Sequence, residues 1–594
     1  MSSKLELNNE QVAMLRGDLG AARQMAMRLL LDMAAAANAQ ELMPIRSAHL
    51  SGVSPLTGGL GLRQFLARLA ADPQGHVAVP TTLNAAGCDV DQFSAMRIVA
   101  PDFLDHSQEI VRLYTQLGVQ PTQSCVPYEW EGVVTTGAAA WAESNAICFG
   151  NSYTGLLTNR ESGLSALAAA LTGYTPRYGL LMPANRHPNL EVTVACPLDD
   201  PTDFSILGDW IGSQRQSGWQ MPFGPIPLIR GLPLPLTHEQ RKALSAAAAN
   251  YGCALLYIAG EGEPPATDHI QAQLAFTEAD LHGRYAALAP RAPVSLVTIG
   301  CPQASVGELR AVAAQLRGRT VTSAPDGDRP PLWVFTSAAN LAIAENTGIA
   351  GIIRDSGALL LANTCPEVVP YDPAWVRHVL TNSMKAEHYI KSGLNGIPTS
   401  VMRLADCIAI AAGEQTVARV EHAPPSAQET GQGSAAAIAP RPTRPTPPAA
   451  DGSRPFTGQG LPSQGNFLVR GEAFVTDAPI TLLGFVNRET GVIEEPGHPA
   501  HGQSMAGKIA IFPKGTGSTV APYVLLELYY RGMAPLAIVN TAIDQQSAPA
   551  CSLEGIPYAY GFDPAVLTAV RSGDIVDLRR QGDAVTLLRQ SPGA

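Results

Sequence analysis

The sequence is poor in charge. Only 15% of its 594 residues are Asp, Glu, Lys or Arg, and 40 Lys plus Arg against 51 Asp plus Glu leave a net charge of −11. Without a dense basic run, nucleic acid and anionic membrane are excluded as main partners, because clustered Lys and Arg would have to hold them. Cysteine is also scarce. Nine in the chain are too few for a disulfide scaffold, and an odd number cannot all pair internally, so a reducing cytoplasm is the expected setting. No CxxC spacing occurs. Apolar runs long enough to span a bilayer are missing as well. The most apolar stretch, residues 25–38, is interrupted by Arg28 and Asp32 and reads as an Ala-rich core helix. The opening MSSKLELNNEQ has no apolar segment behind a basic start, so no secretory signal is expected.

What the chain has is apolar surface: 46% hydrophobic residues, enough to exclude a mostly disordered protein and to fill several cores. One segment departs from this. Residues 421–460 are rich in Pro, Ala, Ser and Gly, with Phe456 the sole aromatic, and are expected to be an extended tether stiffened by Pro440, Pro442, Pro445, Pro447 and Pro448. The expected organisation is a large part at 1–420, a linker at 421–458 and a small part at 459–594.

In the large part, helical and strand patterns alternate. Residues 5–38 and 108–117 read as helices, and 76–84, 254–260, 293–302, 331–337 and 357–366 as strands. Two of these strands run into helical segments at 305–318 and 337–348. Such βα alternation predicts an α/β fold with parallel sheets. The small part reads as strands at NFLVRGEAFVT, ITLLGFV, KIAIFP and LAIVN with a helix over 521–531, a compact β-rich α/β domain.

Three groups of residues could carry chemistry. Cys125 (PTQSCVPYEW), Cys301 (VTIGCPQAS) and Cys365 (LANTCPEVVP) each lie near an expected strand end beside proline. Thiolates are soft ligands for iron-sulfur clusters or zinc, and three protein ligands leave a position open for substrate. Equally, buried cysteine serves as a small hydrophobe, the role assigned to Cys88, Cys148, Cys196, Cys253, Cys407 and Cys551. The second group is AWAESNAICFGNSYTGLLTNRESG, dense in amides and hydroxyls: Glu143, Ser144, Asn145, Asn151, Asn159 and Arg160. It is either a set of helix caps and internal hydrogen bonds or a polar pocket in which Arg160 pairs with a carboxylate. The third is PKGTGSTVAP, where a strand enters a glycine loop before a helix. There Ser518 would sit among converging N–H groups able to stabilise its alkoxide, or the loop is an ordinary strand-to-helix turn. His49, Lys385, His388 and His498 lie in polar contexts and are open to structural or catalytic use.

These motifs in order, Ala48-His49, VPTTLN (79–84), SCVPY (124–128), AWAESNA (140–146), NSYTGLLTNRESG (151–163), GCP (300–302), NTC (363–365), TNSMKAEHY (381–389), GEAFV (471–475), TGVI, GHPAHGQSMAGKI and KGTGST, resemble the aconitase X family of the aconitase superfamily. The resemblance spans nearly all of the chain outside the linker. It implies an aconitase-like multi-layer large part with parallel sheets and a swivelling small domain. It further implies a three-cysteine iron site at Cys125, Cys301 and Cys365 and a base at Ser518, with Lys385 and His388 as further catalytic candidates. Substrate-binding candidates are His49, Thr82, Asn84, Glu143, Ser144, Asn145, Asn159, Arg160 and Gly517. Two departures stand out: Gln303 and Asn363 occupy positions where family members commonly carry His and Asp.

Single-chain bacterial members resemble cis-3-hydroxy-L-proline dehydratases, and two-subunit archaeal members resemble mevalonate 5-phosphate dehydratases. The fused arrangement implies the first, with an iron-sulfur cluster of the 2Fe-2S type or, alternatively, mononuclear iron, and a small hydroxy amino acid as substrate. Three other readings stay open at this level: the phosphorylated substrate, a thiol or zinc hydrolase, and a hydroxy-acid binding protein without turnover.

Overall fold

The computed structural model describes residues 5–590 except 101, 215–218, 220, 263–265, 326, 393, 415–454, 517 and 545. The expected linker therefore lies outside the described residues apart from 455–458, and the first strand of the small part, Phe456–Gly460, begins inside that range.

The single helix expected over 5–38 is two, Asn9–Arg16 and Ala21–Ala36. Gly17 (φ 90°) caps the first with its N–H on the Ala13 and Met14 carbonyls, and Gly20 (φ 97°) precedes the second; an L side chain rarely adopts either conformation. Three parallel sheets follow. The first runs Thr81–Leu83, Ser47–Leu50, Gly137–Trp141, Leu156–Leu157. The second runs Ala272–Phe276, Leu190–Val194, Pro227–Arg230, Tyr257–Ile258, of which the sequence pattern foresaw only the last. The third runs Leu359–Ala362, Leu332–Thr336, Leu296–Ala304, Val379–Thr381, Thr399–Val401. Its three central strands are buried at every residue, as a sheet covered by helices on both faces requires.

The small part is a closed seven-stranded barrel. The C-terminal hairpin Ile575–Gln581/Ala584–Arg589 completes it, pairing with Phe467–Val475 on one side and Phe456–Gly460 on the other. Alternate residues such as Ala473, Ile509, Ile511, Val539, Val576, Leu578 and Val585 fill its core. The segment ITLLGFV, expected as a strand, is one only at Ile480–Thr481, because Gly484 (φ 85°) turns the chain out of extended geometry.

The two parts share one apolar core. The helix Pro55–Ala70 packs on the helix Pro522–Tyr530, and Leu62, Phe65 and Leu66 join Val524, Leu525 and Leu528 in one buried cluster. Full burial of such a side chain is worth roughly 1.5–3 kcal/mol, of which docking supplies the share closed off at the seam. Glycine permits the approach: a Cβ on Gly52 would stand 2.1 Å from the Tyr523 ring, and one on Gly61 would stand 2.4 Å from the Glu527 nitrogen. Polar clamps flank the seam. Arg488 donates to the Thr57 carbonyl at 2.7 Å, Arg68 pairs with Glu554 at 2.7 Å, and buried Asp32 accepts from the Ser463 N–H at 2.6 Å. Among the described residues no helix is long and apolar enough to cross a membrane.

Candidate functional site

The three candidate cysteines come from three segments. Cys125 lies in a loop held to the strand Thr81–Leu83, where the Ser124 N–H donates to the Leu83 carbonyl at 2.9 Å. Cys365 follows the strand Leu359–Ala362 through Asn363 (φ 64°), a left-handed position that Asn tolerates better than most residues. Cys301 was expected at a strand end but lies within Leu296–Ala304, where the pairing with Leu332–Thr336 shifts register between Ile299 and Ala304. Gly300 (φ 102°) allows that irregularity, since a Cβ there would stand 2.1 Å from the Phe335 carbonyl oxygen. All three thiols are buried.

A cavity of about 50 Å³ opens at the seam between the two parts. Cys125, Cys365, Asn84, Glu143, Ser144, Glu367, Lys385 and Tyr389 line it from the large part, and Leu483, Ser518, Thr519 and Val520 from the small part. The Cys301 thiol reaches the same wall through Glu367, donating to its Oε1 at 2.9 Å.

At the floor of this cavity is a buried ion network. Lys385 Nζ stands 2.7 Å from Glu143 Oε1 and 3.2 Å from Glu367 Oε1. Burial opposes the lysine's charge, but Glu143 and Glu367 outweigh it and hold its pKa well above the ordinary value. For Glu143 burial works upward, yet Lys385 wins and the carboxyl is held below its usual range, with Asn145 and Asn84 each donating to it at 2.8 Å. For Glu367 burial wins over Lys385 and the pKa is raised. Burial likewise pushes Cys125 up to about 12, against the pull of Lys385, and lifts Cys301 and Cys365 well above the ordinary thiol value. A thiol so placed stays protonated at neutral pH and is a poor nucleophile, which argues against the thiol hydrolase reading.

The remaining candidates divide. His49 is fully buried, with Nδ1 2.9 Å from Thr82 Oγ1 and Nε2 without a partner among the described residues, and burial lowers its pKa to about 4. Neither His49 nor Thr82 lines the cavity. Asn145 braces rather than faces it, donating to the Cys125 carbonyl at 3.0 Å and accepting from Tyr128. Asn159 and Arg160 line a larger cleft of about 1010 Å³ on another stretch of the seam, with Lys514 and Asp544 opposite. Asn159 is occupied there by the Tyr178 carbonyl and the Leu180 N–H. His388 lies between the Tyr251 and Tyr389 rings, off the cavity, its pKa lowered to about 4 by burial and the nearby Arg160 charge. Gly517 lies outside the described residues. Sequence reasoning missed Glu367 and Tyr389; an acid in the apolar run CPEVV was the available signal for the first.

Three buried thiols with a carboxylate beside them form a soft, anionic donor set once deprotonated, which suits iron or an iron-sulfur cluster. Cys125 and Cys365 line one cavity, and Cys301 is tied to it through Glu367. Among the described residues, however, no three His, Cys, Asp or Glu groups stand as a ready cage for a metal ion.

Fold and site together define a two-part α/β protein in which thiols of one part are faced by a serine of the other across a closed seam. Residues 4–184 match the domain family described as "Aconitase X first domain", residues 294–413 "Aconitase X third domain" and residues 463–587 "Aconitase X swivel domain". The chain is 34% identical over 415 residues to the phosphomevalonate dehydratase large subunit of Methanosarcina mazei, covering 68% of this chain and 97% of that one. It is 31% identical over 422 residues to the cis-3-hydroxy-L-proline dehydratase of Hypocrea jecorina, covering 68% of each. The crystal structure of Thermococcus kodakaraensis aconitase X in its holo-form superposes with a TM-score of 0.60 at 30% identity, covering 68% of this chain and 100% of that one. The chain belongs to the aconitase X family.

Proposed function

We propose that the protein is a hydro-lyase that dehydrates cis-3-hydroxy-L-proline to 1-pyrroline-2-carboxylate. One observation carries the reading: Ser518 of the barrel and Cys125, Cys365 and Lys385 of the large part line one cavity, so that a base and an electrophilic wall face each other. In this substrate the 3-hydroxyl and the carboxylate share a ring face, so the Cα hydrogen lies on the opposite face from the leaving hydroxyl. Anti elimination needs groups on both sides.

Ser518 Oγ, directed from the barrel, takes the Cα proton. The Lys385 ammonium in the same cavity favours the serine's alkoxide and the negative charge that builds on the substrate carboxylate. Ser144, which lines the same cavity from the large part, would donate to the departing oxygen. One proton leaves Cα, one reaches the hydroxyl, and water departs; the cyclic enamine then tautomerises to the imine. An iron-sulfur cluster held by Cys125, Cys301 and Cys365 would supply Lewis acidity toward the hydroxyl or carboxylate without a change of oxidation state. Docking of the barrel excludes bulk water from the reacting atoms.

A second reading, dehydration of a phosphorylated hydroxy acid, draws on Arg160 and Lys514 in the larger cleft, two cations that could meet a phosphate. The deciding experiment is anaerobic purification with iron and sulfide analysis, followed by assays on cis-3-hydroxy-L-proline and on mevalonate 5-phosphate. Imine formation from the first alone supports the proposal. Turnover of the second alone transfers the assignment to the phosphorylated substrate, and turnover of neither by iron-loaded protein refutes both.

A further inference from the structure

Gln303 is fully buried two residues beyond Cys301, and every polar atom it owns is spent on the thiol segments or their support. Its side-chain Oε1 accepts from the Cys125 N–H at 3.1 Å. Its Nε2 donates to the Gln123 carbonyl at 3.2 Å and to the Thr364 carbonyl at 3.0 Å. Its own main-chain N–H donates to Cys125 Sγ at 3.3 Å. A primary amide offers one acceptor oxygen and two N–H donors on one plane, and all are used here. Thus one side chain reaches from the Cys301 strand to the residues flanking Cys125 and to the residue before Cys365.

The loops it joins do not hold themselves. Gln123 (φ 46°) and Asn363 (φ 64°) are both non-glycine residues in left-handed conformation, each two residues before its cysteine. Such positions persist only where surrounding structure fixes them. From behind, buried Lys242 donates to the Gln303 carbonyl at 2.8 Å while paired with Glu308 and 3.6 Å from Glu129. Glu129 lies on the turn just after Cys125, and Asn340 ties it back by donating to Glu129 Oε2 at 2.7 Å and to the Ala304 carbonyl at 3.2 Å. The strand Leu296–Ala304 and the Cys125 loop are therefore joined twice, once at Gln303 and once through Lys242, Glu129 and Asn340.

We infer that Gln303 is the positioning residue that sets the three thiols in mutual register for a shared thiophilic centre, touching no substrate itself. This rests on the reading of Cys125, Cys301 and Cys365 as ligands. Groups that orient ligands from behind change affinity by about 10–100-fold when removed.

The test uses trivalent arsenic, which binds three converging thiolates and needs no iron. The full-length apoprotein is titrated with arsenite, followed by the ultraviolet thiolate-to-arsenic absorption. Wild type is expected to bind one equivalent, and Gln303→Met, which keeps the volume and deletes the side-chain bonds, to bind about tenfold more weakly. Val312→Ala, a core truncation on the covering helix of the same sheet, should lower thermal stability and leave arsenite affinity at the wild-type value, separating register from general weakening. If Gln303→Met does not fold, Gln303→Asn, which withdraws the same amide by one methylene, carries the same expectation. Equal arsenite affinity in wild type and a folded Gln303 variant overturns the inference alone. Absence of three-thiol binding by wild type overturns the ligand reading beneath it.

Discussion

Lys385 and Glu143 form an ion pair of 2.7 Å with both side chains almost fully withdrawn from water. Glu143 is the N-cap of the helix Ser144–Tyr153, and Lys385 lies in the first turn of Met384–Lys391, so the pair joins two elements at the cavity floor. Removing one partner leaves the other buried and unmatched. Lys385→Met should destabilise the protein by about 3–5 kcal/mol and abolish turnover, and adding Glu143→Gln should restore part of the stability but none of the activity. Denaturant unfolding of the two single variants and the double variant checks this.

Ser518 is partly exposed to the cavity, and among the described residues its hydroxyl makes only a long 3.4 Å contact, accepting from the Val520 N–H. Ser518→Ala should therefore cost no more than about 0.5 kcal/mol of stability. Loss of a base acting on the Cα proton should lower kcat by about 100-fold or more with KM little changed. A variant that retains more than half of wild-type kcat removes Ser518 from the chemistry.

The seam carries enough apolar and polar contact for the parts to find each other unlinked. Polypeptides 1–420 and 455–594, produced together, should co-purify as a one-to-one complex with activity. Gly52→Ala in the first polypeptide should weaken that complex, since the added Cβ would meet the Tyr523 ring at 2.1 Å and Gly52 has φ 88°. Size-exclusion chromatography with light scattering distinguishes the outcomes.

His49 gives a pH signature. Its folded pKa of about 4 lies below its ordinary 6.5, so the folded protein keeps the ring neutral where the unfolded chain binds a proton. Stability should fall as pH drops through 6.5 toward 4, by up to about 1.4 kcal/mol per pH unit from this group, the slope fading out about one unit above 6.5. The difference in stability between wild type and His49→Gln isolates it from other groups. Histidine-labelled NMR should show the His49 ring failing to titrate between about pH 5 and 8; an ordinary titration there refutes the assignment.

Periodicity made three strands of the third sheet legible, because they are continuous apolar runs, two of them followed by capped helices, Val306–Leu316 and Ala338–Asn346; Val379–Thr381 and Thr399–Val401, three residues each, were too short to stand out. The barrel was not legible: its closure depends on pairing Phe456 with Leu587, residues whose neighbourhood no local pattern encodes. Of the site, the cysteines and Ser518 could be picked out by their motifs, and Arg160 by its charge. Their distribution over a small cavity and a larger cleft could not, since it is decided by how the barrel docks. Gln303 stood out in the sequence only as a glutamine where the family commonly has histidine; the groups its amide meets, the Cys125 N–H and the Gln123 and Thr364 carbonyls, come together only when the loops around it fold.

The cavity of about 50 Å³ at the seam is small beside the roughly 300–1,000 Å³ of an ordinary small-molecule site. On the dehydratase reading proposed above, a five-membered ring acid enters when Tyr523 lifts from Gly52 and the helices Pro55–Ala70 and Pro522–Tyr530 part. Each turnover would then expose the apolar face shared by the two helices twice. On that reading kcat should fall as solvent viscosity rises, and a kcat independent of viscosity would show that lifting of the barrel does not limit turnover.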